Sequence, residues 1–282
     1  MKTITTWGQA LDWYWNKTAK RQAQAPMFQI NSRKITDYCG RSMPLSRMGK
    51  GAWWIEFISY LTENTNLSTS TINRVISVGT TVLRKTGLNG LHSVPCPTFE
   101  KPKEKGARLT YFSKKQVDTM AFNAVDIFDR KDLAEAIIFS AYTGLRQGEL
   151  LKIKPSDIDF ETNTLNVGGV PHLHTKSGKA RTVPLHEKVI PILKNRLSNN
   201  YLFGDDWINK DQLYRAFTKV RDYSGFSIKH VWHSLRHSFG TYLGEVTHPR
   251  QIMAIMGHAN IETSLRYTHV TDKAIRSAIS AI

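Results

Sequence analysis

The sequence specifies a mainly α, two-domain protein with one small antiparallel β-sheet. Three observations carry that expectation. The 282 residues suffice for about two domains of ordinary size. Apolar stripes at helical spacing occur in both halves of the chain, and a single passage of period-two alternation interrupts them. Hydrophobic residues make up 40% and charged residues 22%, which places the chain with globular proteins and away from disordered ones.

The first helices follow from spacing. Trp7, Leu11 and Tyr14 stand at i, i+4, i+7, and Trp54, Phe57, Ile58 and Leu61 at i, i+3, i+4, i+7. Ile72, Ile76, Gly79 and Leu83 continue the same period. Three or four amphipathic helices are expected, and residues 1–94 form a small helical domain. Ser68 to Thr71 supply N-cap candidates for the last helix, and Gly87 with Gly90 can end it. Five of the seven tryptophans precede position 55 and read as core of this bundle, with base stacking as the alternative. Residues 95–108, PCPTFEKPKEKGAR, combine three prolines with alternating charge and read as an extended linker. Its Lys101, Lys103, Lys105 and Arg108 either follow a phosphate backbone or decorate a solvated hinge.

Residues 109–282 form the second domain. Ser113 to Val117 gives a helix start, Lys131 to Thr143 an apolar helix ending at Gly144, and Gly148 to Lys154 a further helix stopping before Pro155. Leu165 to Gly168 and His174 to Leu185 alternate as strands around Ser177-Gly178, read as a two-residue hairpin turn with Lys176 beside it. Helices resume after Leu185. Neither a repeat of fixed period nor a low-complexity segment is apparent.

Charge indicates the partner class. Lys and Arg number 39 against 23 Asp and Glu, a net +16. The surplus is spread along the chain, with 15 basic and 6 acidic residues up to Gly106 and 24 and 17 after it. A polyanion is implied, nucleic acid first, although RNA, an acidic protein or anionic lipid would satisfy charge alone. The two cysteines, Cys39 and Cys96, are too few for an extracellular disulfide framework and lack CxxC spacing. No apolar run approaches 18 residues and the N-terminus has no uninterrupted apolar stretch, so a cytoplasmic protein without a membrane segment is expected.

Four segments of the second domain stand out together: TGLRQGELLKI around Arg146, HTKSGKARTVPL around Lys176, HSLRHSFGTYL around His233 and Arg236, and MGHANIETSLRYTHV with His258 and Tyr267. In this order they resemble the active-site boxes of the tyrosine recombinases, the phage integrase family. The N-terminal stretch LSTSTINRVISVGTTVLRKTGL resembles that family's core-binding domain more weakly. The resemblance implies a two-domain DNA clamp, a SAM-like helical core-binding domain followed by a mixed α/β catalytic domain. It implies site-specific strand exchange on double-stranded core sites within a homotetramer. Position by position it assigns catalysis to Arg146, Lys176, His233, Arg236, His258 and the nucleophile Tyr267. Lys179 competes with Lys176 for the lysine position, but Lys176 stands where the family's lysine precedes its R-x-VPL ending.

Elementary chemistry supports those roles. Phenolate attack on a phosphodiester builds negative charge that fixed guanidinium groups at Arg146 and Arg236 would meet bidentately. His233 and Arg236, three residues apart, share a helix face. Lys176, near a turn, is placed to protonate the departing 5′ oxygen. Tyr267, ordinarily near pKa 10, needs positive charge or a proton acceptor. The product is a 3′-phosphotyrosyl link that conserves the bond energy, so rejoining needs no cofactor or metal. The chain lacks a Walker-type GxxxxGK[ST], and Asp157 and Asp159 read as solvated turn residues. Glu149 is expected behind the arginine region, orienting it, although Arg146 and Glu149 at i, i+3 would form an ion pair in any helix. His237 and His269 are expected to be structural or to stand just outside the catalytic set, and Lys179 and Arg181 are added to the DNA-contacting set. Met256 replaces the family's usual Leu at conserved volume.

The expected biology is integration or excision of a phage or mobile element, with a directionality factor or host DNA-bending protein as accessory partner. The alternatives are a Xer-type resolvase of chromosome or plasmid dimers and a catalytically silent DNA-binding protein of the same fold. A type IB topoisomerase shares the chemistry but fits the HxxR box and length less well. The short stretch before the first helix leaves no room for the arm-site-binding domain of many larger integrases. Beyond Tyr267, the stripe Ala274, Ile275, Ala278, Ile279 and Ile282 is expected to dock on a neighbouring subunit or to pack on its own.

Overall fold

The computed structural model describes residues 3–104, 109–175 and 178–268. The chain divides into two compact units, Met1–Ala107 and Arg108–Ile282. None of the described helices is long and apolar enough to cross a membrane.

In the first unit α1 (Trp7–Lys17) begins with a capping box: Thr6 Oγ1 accepts from Gln9 N, and Gln9 Oε1 accepts from Thr6 N at 3.2 Å. Next come α2 (Ala25–Cys39), α3 (Leu45–Met48), α4 (Gly51–Asn64) and α5 (Thr69–Leu88), the last capped by Ser68. The core contains Trp7, Trp53, Trp54 and Phe57, and Trp7 Nε1 donates to Thr36 Oγ1 at 2.9 Å, tying α1 to α2. Trp13 and Trp15 pack partly buried against it. The tryptophans are therefore core residues. Helix α2 has no counterpart in the sequence reading, because its buried face is Asn31, Ser32 and Ile35, two polar residues in three. Gly79 on α5 lies against Trp54 and Ile35, so closely that a Cβ there would stand 2.4 Å from the indole.

The segment after α5 is extended but not free within this unit. Phe99 stacks in parallel on Trp54 at 5.5 Å, Asn73 Nδ2 donates to Pro102 O at 3.0 Å, and Lys101 Nζ reaches Ser77 Oγ at 3.4 Å. A single aromatic residue among prolines and charges anchors it, too little to register as an apolar period.

The second unit opens with α6 (Lys114–Asp126), capped by Ser113 and Gln116, and α7 (Lys131–Thr143), buried on nearly every side. Gly144 closes α7 in the left-handed region at φ 64°, where the Phe239 ring leaves no space for a side chain. Helix α8 (Gln147–Leu150) is a single turn, shorter than the expected 148–154 helix, because the chain leaves it to reach the sheet. Strands β1 (Ile158–Asp159), β2 (Thr164–Val167) and β3 (Arg181–Pro184) form an antiparallel sheet in that order, with Leu165 opposite Val183 and Val167 opposite Arg181. The turn expected at Ser177-Gly178 lies partly outside the described residues; among the described ones, pairing stops at Val167 and Arg181, so the strands are shorter than the expected Leu165–Gly168 and His174–Leu185. Gly168 and Gly169, at φ 91° and 79°, end β2 by turning the chain away from the ladder. The reading of Asp157 as a solvated turn residue is corrected. It is buried, accepts from Lys154 N and pairs with His172 Nε2 at 2.9 Å, whereas Asp159 does cap a turn through Glu161 N and Thr162 N.

Helices α9 (Ile190–Lys194), α10 (Lys210–Tyr223), α11 (Trp232–Gly244), α12 (Pro249–Met256) and α13 (Ile261–Leu265) complete the described unit. Helix α11 packs on α7, and it fastens the chain ahead of α6 through Ser238 Oγ, which accepts from Phe112 N at 2.9 Å, and Tyr242, which donates to Phe112 O at 2.8 Å.

Gly79→Ala is expected to lower the stability of the first unit by about 1–2 kcal/mol. Overpacking against the Trp54 ring outweighs the roughly 1 kcal/mol of helix propensity that alanine adds. The urea midpoint of tryptophan fluorescence measures it; an increase would mean that the ring yields freely.

Candidate active site

The left-handed turn at Gly144 ends α7 and delivers Arg146 to the N-terminus of α8. Glu149, one turn along, accepts from Arg146 N through Oε2 and from Arg146 Nη1 through Oε1, both at 2.9 Å. The ion pair expected from i, i+3 spacing is therefore formed. The same carboxylate receives Arg181 from β3, with Nη1 to Oε1 at 3.2 Å and Nη2 to Oε2 at 2.7 Å. Burial pushes the Glu149 carboxyl up, but the hydrogen bonds and charge of Arg181, then of Arg146, outweigh it and hold the group at about 2.

Arg236 on α11 is 3% exposed, with Nη1 donating to Gly144 O at 2.5 Å and Nη2 donating to Met256 O. Its pKa is depressed to about 9, first by burial and then by the charges of Arg146 and Arg181, which leaves it charged at neutral pH. Three guanidinium groups thus surround one carboxylate, an excess of two positive charges in a largely buried volume. Such an arrangement attracts an oxyanion.

The histidines and the tyrosine lie beside these cations. Gly257 takes the left-handed C-cap of α12 at φ 65°, against Arg181 Cδ, and so turns the chain into His258. His258 Nδ1 is hydrogen-bonded to Ser264 Oγ at 2.8 Å, and its ring stacks on that of Tyr267 at 5.9 Å and 12°. Burial, then Arg236, Arg146 and Arg181, lower His258 to about 4. His233 is lowered by burial and then by Arg236 and Arg146, so both rings are neutral at pH 7. Tyr267 is 4% exposed and burial raises its pKa against the pull of Arg236 and Arg266. Its hydroxyl therefore stays protonated, and it is hydrogen-bonded to His237 Nδ1 at 2.8 Å.

Of the residues singled out from sequence, Arg146, Glu149, His233, Arg236, His258 and Tyr267 are gathered in one place by these contacts and mutual charge effects. Lys176 lies outside the described residues, as do Lys105, Arg108, His269 and the stripe from Ala274 to Ile282. Near it, Thr175 O accepts from Gly178 N at 3.1 Å and Thr175 Oγ1 donates to Lys179 O at 2.8 Å. Lys101, Lys103 and Lys179 are exposed, with Lys103 paired to Glu100 at 3.5 Å. Arg181 is corrected: it is buried behind Arg146, because Arg181 and Val183 share the inward phase of β3. His237, expected to be structural or to stand just outside the catalytic set, is hydrogen-bonded to the Tyr267 hydroxyl. The available signal was its i+4 spacing from His233, which puts both on one face of α11. Among the described residues no group of three or more His, Cys, Asp or Glu is assembled as for a metal ion.

The phage integrase family model matches residues 111–274, more than half the chain, and the chain belongs to that family. Tyrosine recombinase XerC of Staphylococcus saprophyticus is 28% identical over 191 residues, a match spanning 62% of this chain and 62% of the relative. The chain therefore spans a little under two thirds of that relative's length. Among solved structures, the Tn1549 transposon integrase in complex with transposon right end DNA superposes with a TM-score of 0.79 at 18% identity, covering 98% of this chain and 99% of that one. A lambda integrase tetramer bound to a Holliday junction gives 0.71 at 17% identity, over 91% and 78% of the two chains. The fold is that of DNA-bound integrases.

Glu149→Gln leaves the buried Arg181 guanidinium and the partly exposed Arg146 short of a counter-charge and is expected to destabilise the second unit by about 3 kcal/mol. The carboxylate's folded pKa lies below its ordinary 4.5. Its contribution is therefore complete above about pH 5 and is lost as pH falls toward 2. Denaturation of both proteins between pH 7 and 3 measures this, and the difference should narrow with falling pH.

Proposed function

We propose that this chain is a site-specific recombinase that cleaves and rejoins duplex DNA through a 3′-phosphotyrosyl intermediate. The observation that carries the proposal is the cluster of Arg146, Arg181 and Arg236 around the single carboxylate of Glu149, with the Tyr267 hydroxyl beside it. A scissile phosphate entering this volume would supply the missing negative charge. Arg146 and Arg236 would bind its non-bridging oxygens and meet the charge that grows during attack, with Glu149 and Arg181 fixing Arg146 in place. The Tyr267 oxygen bonds to phosphorus as the bond to the 5′ oxygen breaks. Lys176 donates the proton to that oxygen, and His233 and His258 hold neutral, hydrogen-bonding positions around the phosphate.

Lys101, Lys103, Lys105, Arg108 and Lys179 would contact the DNA backbone. Strand exchange would occur in a homotetramer on core sites, and the favoured role is integration or excision of a mobile element, with an accessory directionality or DNA-bending protein. Similarity to XerC supports a second reading, resolution of chromosome or plasmid dimers.

Incubation with nicked duplexes from DNA flanking the gene, quenched in SDS, should give a DNA-linked band that Tyr267→Phe lacks. Arg146→Ala should slow its formation by about 100- to 1,000-fold. A band that persists in Tyr267→Phe would remove the proposed nucleophile. Binding should weaken linearly in log K against log[salt], measured by fluorescence anisotropy, and a flat plot would contradict phosphate contact.

A further inference from the structure

Burial keeps the Tyr267 hydroxyl protonated, so a proton must leave it during attack. Three histidines stand near, and their geometries differ. His258 has its Nδ1 engaged by Ser264 Oγ and, among the described residues, makes no hydrogen bond to the hydroxyl. His233 meets the ring of His237 edge-on at 4.7 Å and, among the described residues, makes no hydrogen bond to the hydroxyl. His237 alone of the three does so, through Nδ1 at 2.8 Å.

The seat that sets this distance is built into α11. His233, His237, Gly240 and Gly244 follow one another at i, i+4, i+7 and i+11 along one face. A Cβ at Gly240 would stand 2.7 Å from the Tyr267 ring, and one at Gly244 would strike the Tyr267 carbonyl. The two glycines let the tyrosine lie flat on the helix, and the next side chain up the same face is His237.

We infer that His237 accepts the phenolic proton of Tyr267 as the hydroxyl oxygen attacks phosphorus, and returns it when the strands are rejoined. The inference rests on reading Tyr267 as the nucleophile. In cleavage the Oη–H bond breaks toward His237 Nδ1, the Oη–P bond forms and the P–O5′ bond breaks, with a separate acid protonating the 5′ oxygen. In rejoining, the 5′ hydroxyl gives its proton to that acid's conjugate base, and the His237 imidazolium protonates Tyr267 as it leaves.

The surroundings leave the ring without its second proton before attack. Burial, followed by His233, Arg266, Arg236 and His258, lowers His237 to about 4, so the ring is neutral and able to accept at pH 7. A phosphate entering among Arg146, Arg181 and Arg236 offsets those cations and raises the basicity of His237 when the proton must move. The groups facing it are His233 and Arg236 on α11, His258 after α12, and Arg266 and Tyr267 after α13.

The test is single-turnover adduct formation on a nicked duplex from pH 6 to 10, comparing wild type with His237→Asn. The amide of asparagine reaches the Nδ1 position and keeps a hydrogen bond to the hydroxyl but accepts no proton. At pH 7 the variant should be about 100-fold slower, within the usual contribution of a general base. The defect should shrink to about tenfold or less near pH 10, where hydroxide supplies phenolate, with DNA affinity unchanged. A defect of constant size across the range, or a rate within about threefold of wild type at pH 7, overturns the inference. His237→Gln serves as the second variant if His237→Asn fails to unfold cooperatively. Tyr267→Phe separates the two readings: if it retains the adduct, the nucleophile is misassigned, whereas if it loses the adduct and His237→Asn does not slow, only the proton acceptor is.

Discussion

The carboxylate of Glu149 is the interaction on which the candidate site depends. It is buried and holds two guanidinium groups that come from different places in the chain, Arg146 at the start of α8 and Arg181 in β3. A single cation would satisfy a buried carboxylate. A second, together with the nearby Arg236, leaves the pocket with surplus positive charge that is costly to bury without an anion. The cost is met partly by backbone carbonyls, since Arg236 donates to Gly144 O and Met256 O. Those carbonyls lie at the C-terminal ends of α7 and α12, where helix dipoles place partial negative charge and helical partners are missing. The folded chain thus tolerates a cationic pocket.

Helix α11 organises the other half of the site. It carries Arg236 toward the cations and His233 and His237 along an adjacent face, and its glycines accept the tyrosine from the segment after α13. Its opposite side packs on α7, which ends in the turn delivering Arg146. The arginine cluster and Tyr267 therefore share one packed support. A shift of α11 would move both together, which is how a rigid core preserves relative geometry in a site assembled from distant segments.

Much of this was legible in the sequence because the relevant rules are local. Ser113 to Val117 signal a helix start, Gly144 a helix end, and Ile72, Ile76, Gly79 and Leu83 a helical stripe. What escaped notice depended on tertiary context. Helix α2 buries Asn31 and Ser32, which no hydrophobic pattern would place inside. The extent of the β2–β3 connection was hidden because Ser177-Gly178 looks like a hairpin turn whatever the strand register. Charge alone places Arg181 among DNA-contacting cations, although its phase with Val183 puts it inward. His237 stood one turn from His233, but only the position of Tyr267 against Gly240 shows that it reaches the hydroxyl.

Peptide mapping of the trapped DNA adduct tests the central claim most directly. After nuclease digestion and trypsin, mass spectrometry should find a nucleotide 3′-phosphate on the peptide that begins at Tyr267 and ends at Lys273. Attachment at Tyr267 would make this cationic pocket the place where the phosphodiester is cut. Attachment at any other residue would contradict the account, because the charges gathered by Glu149 and the seat on α11 would then serve no bond-breaking step.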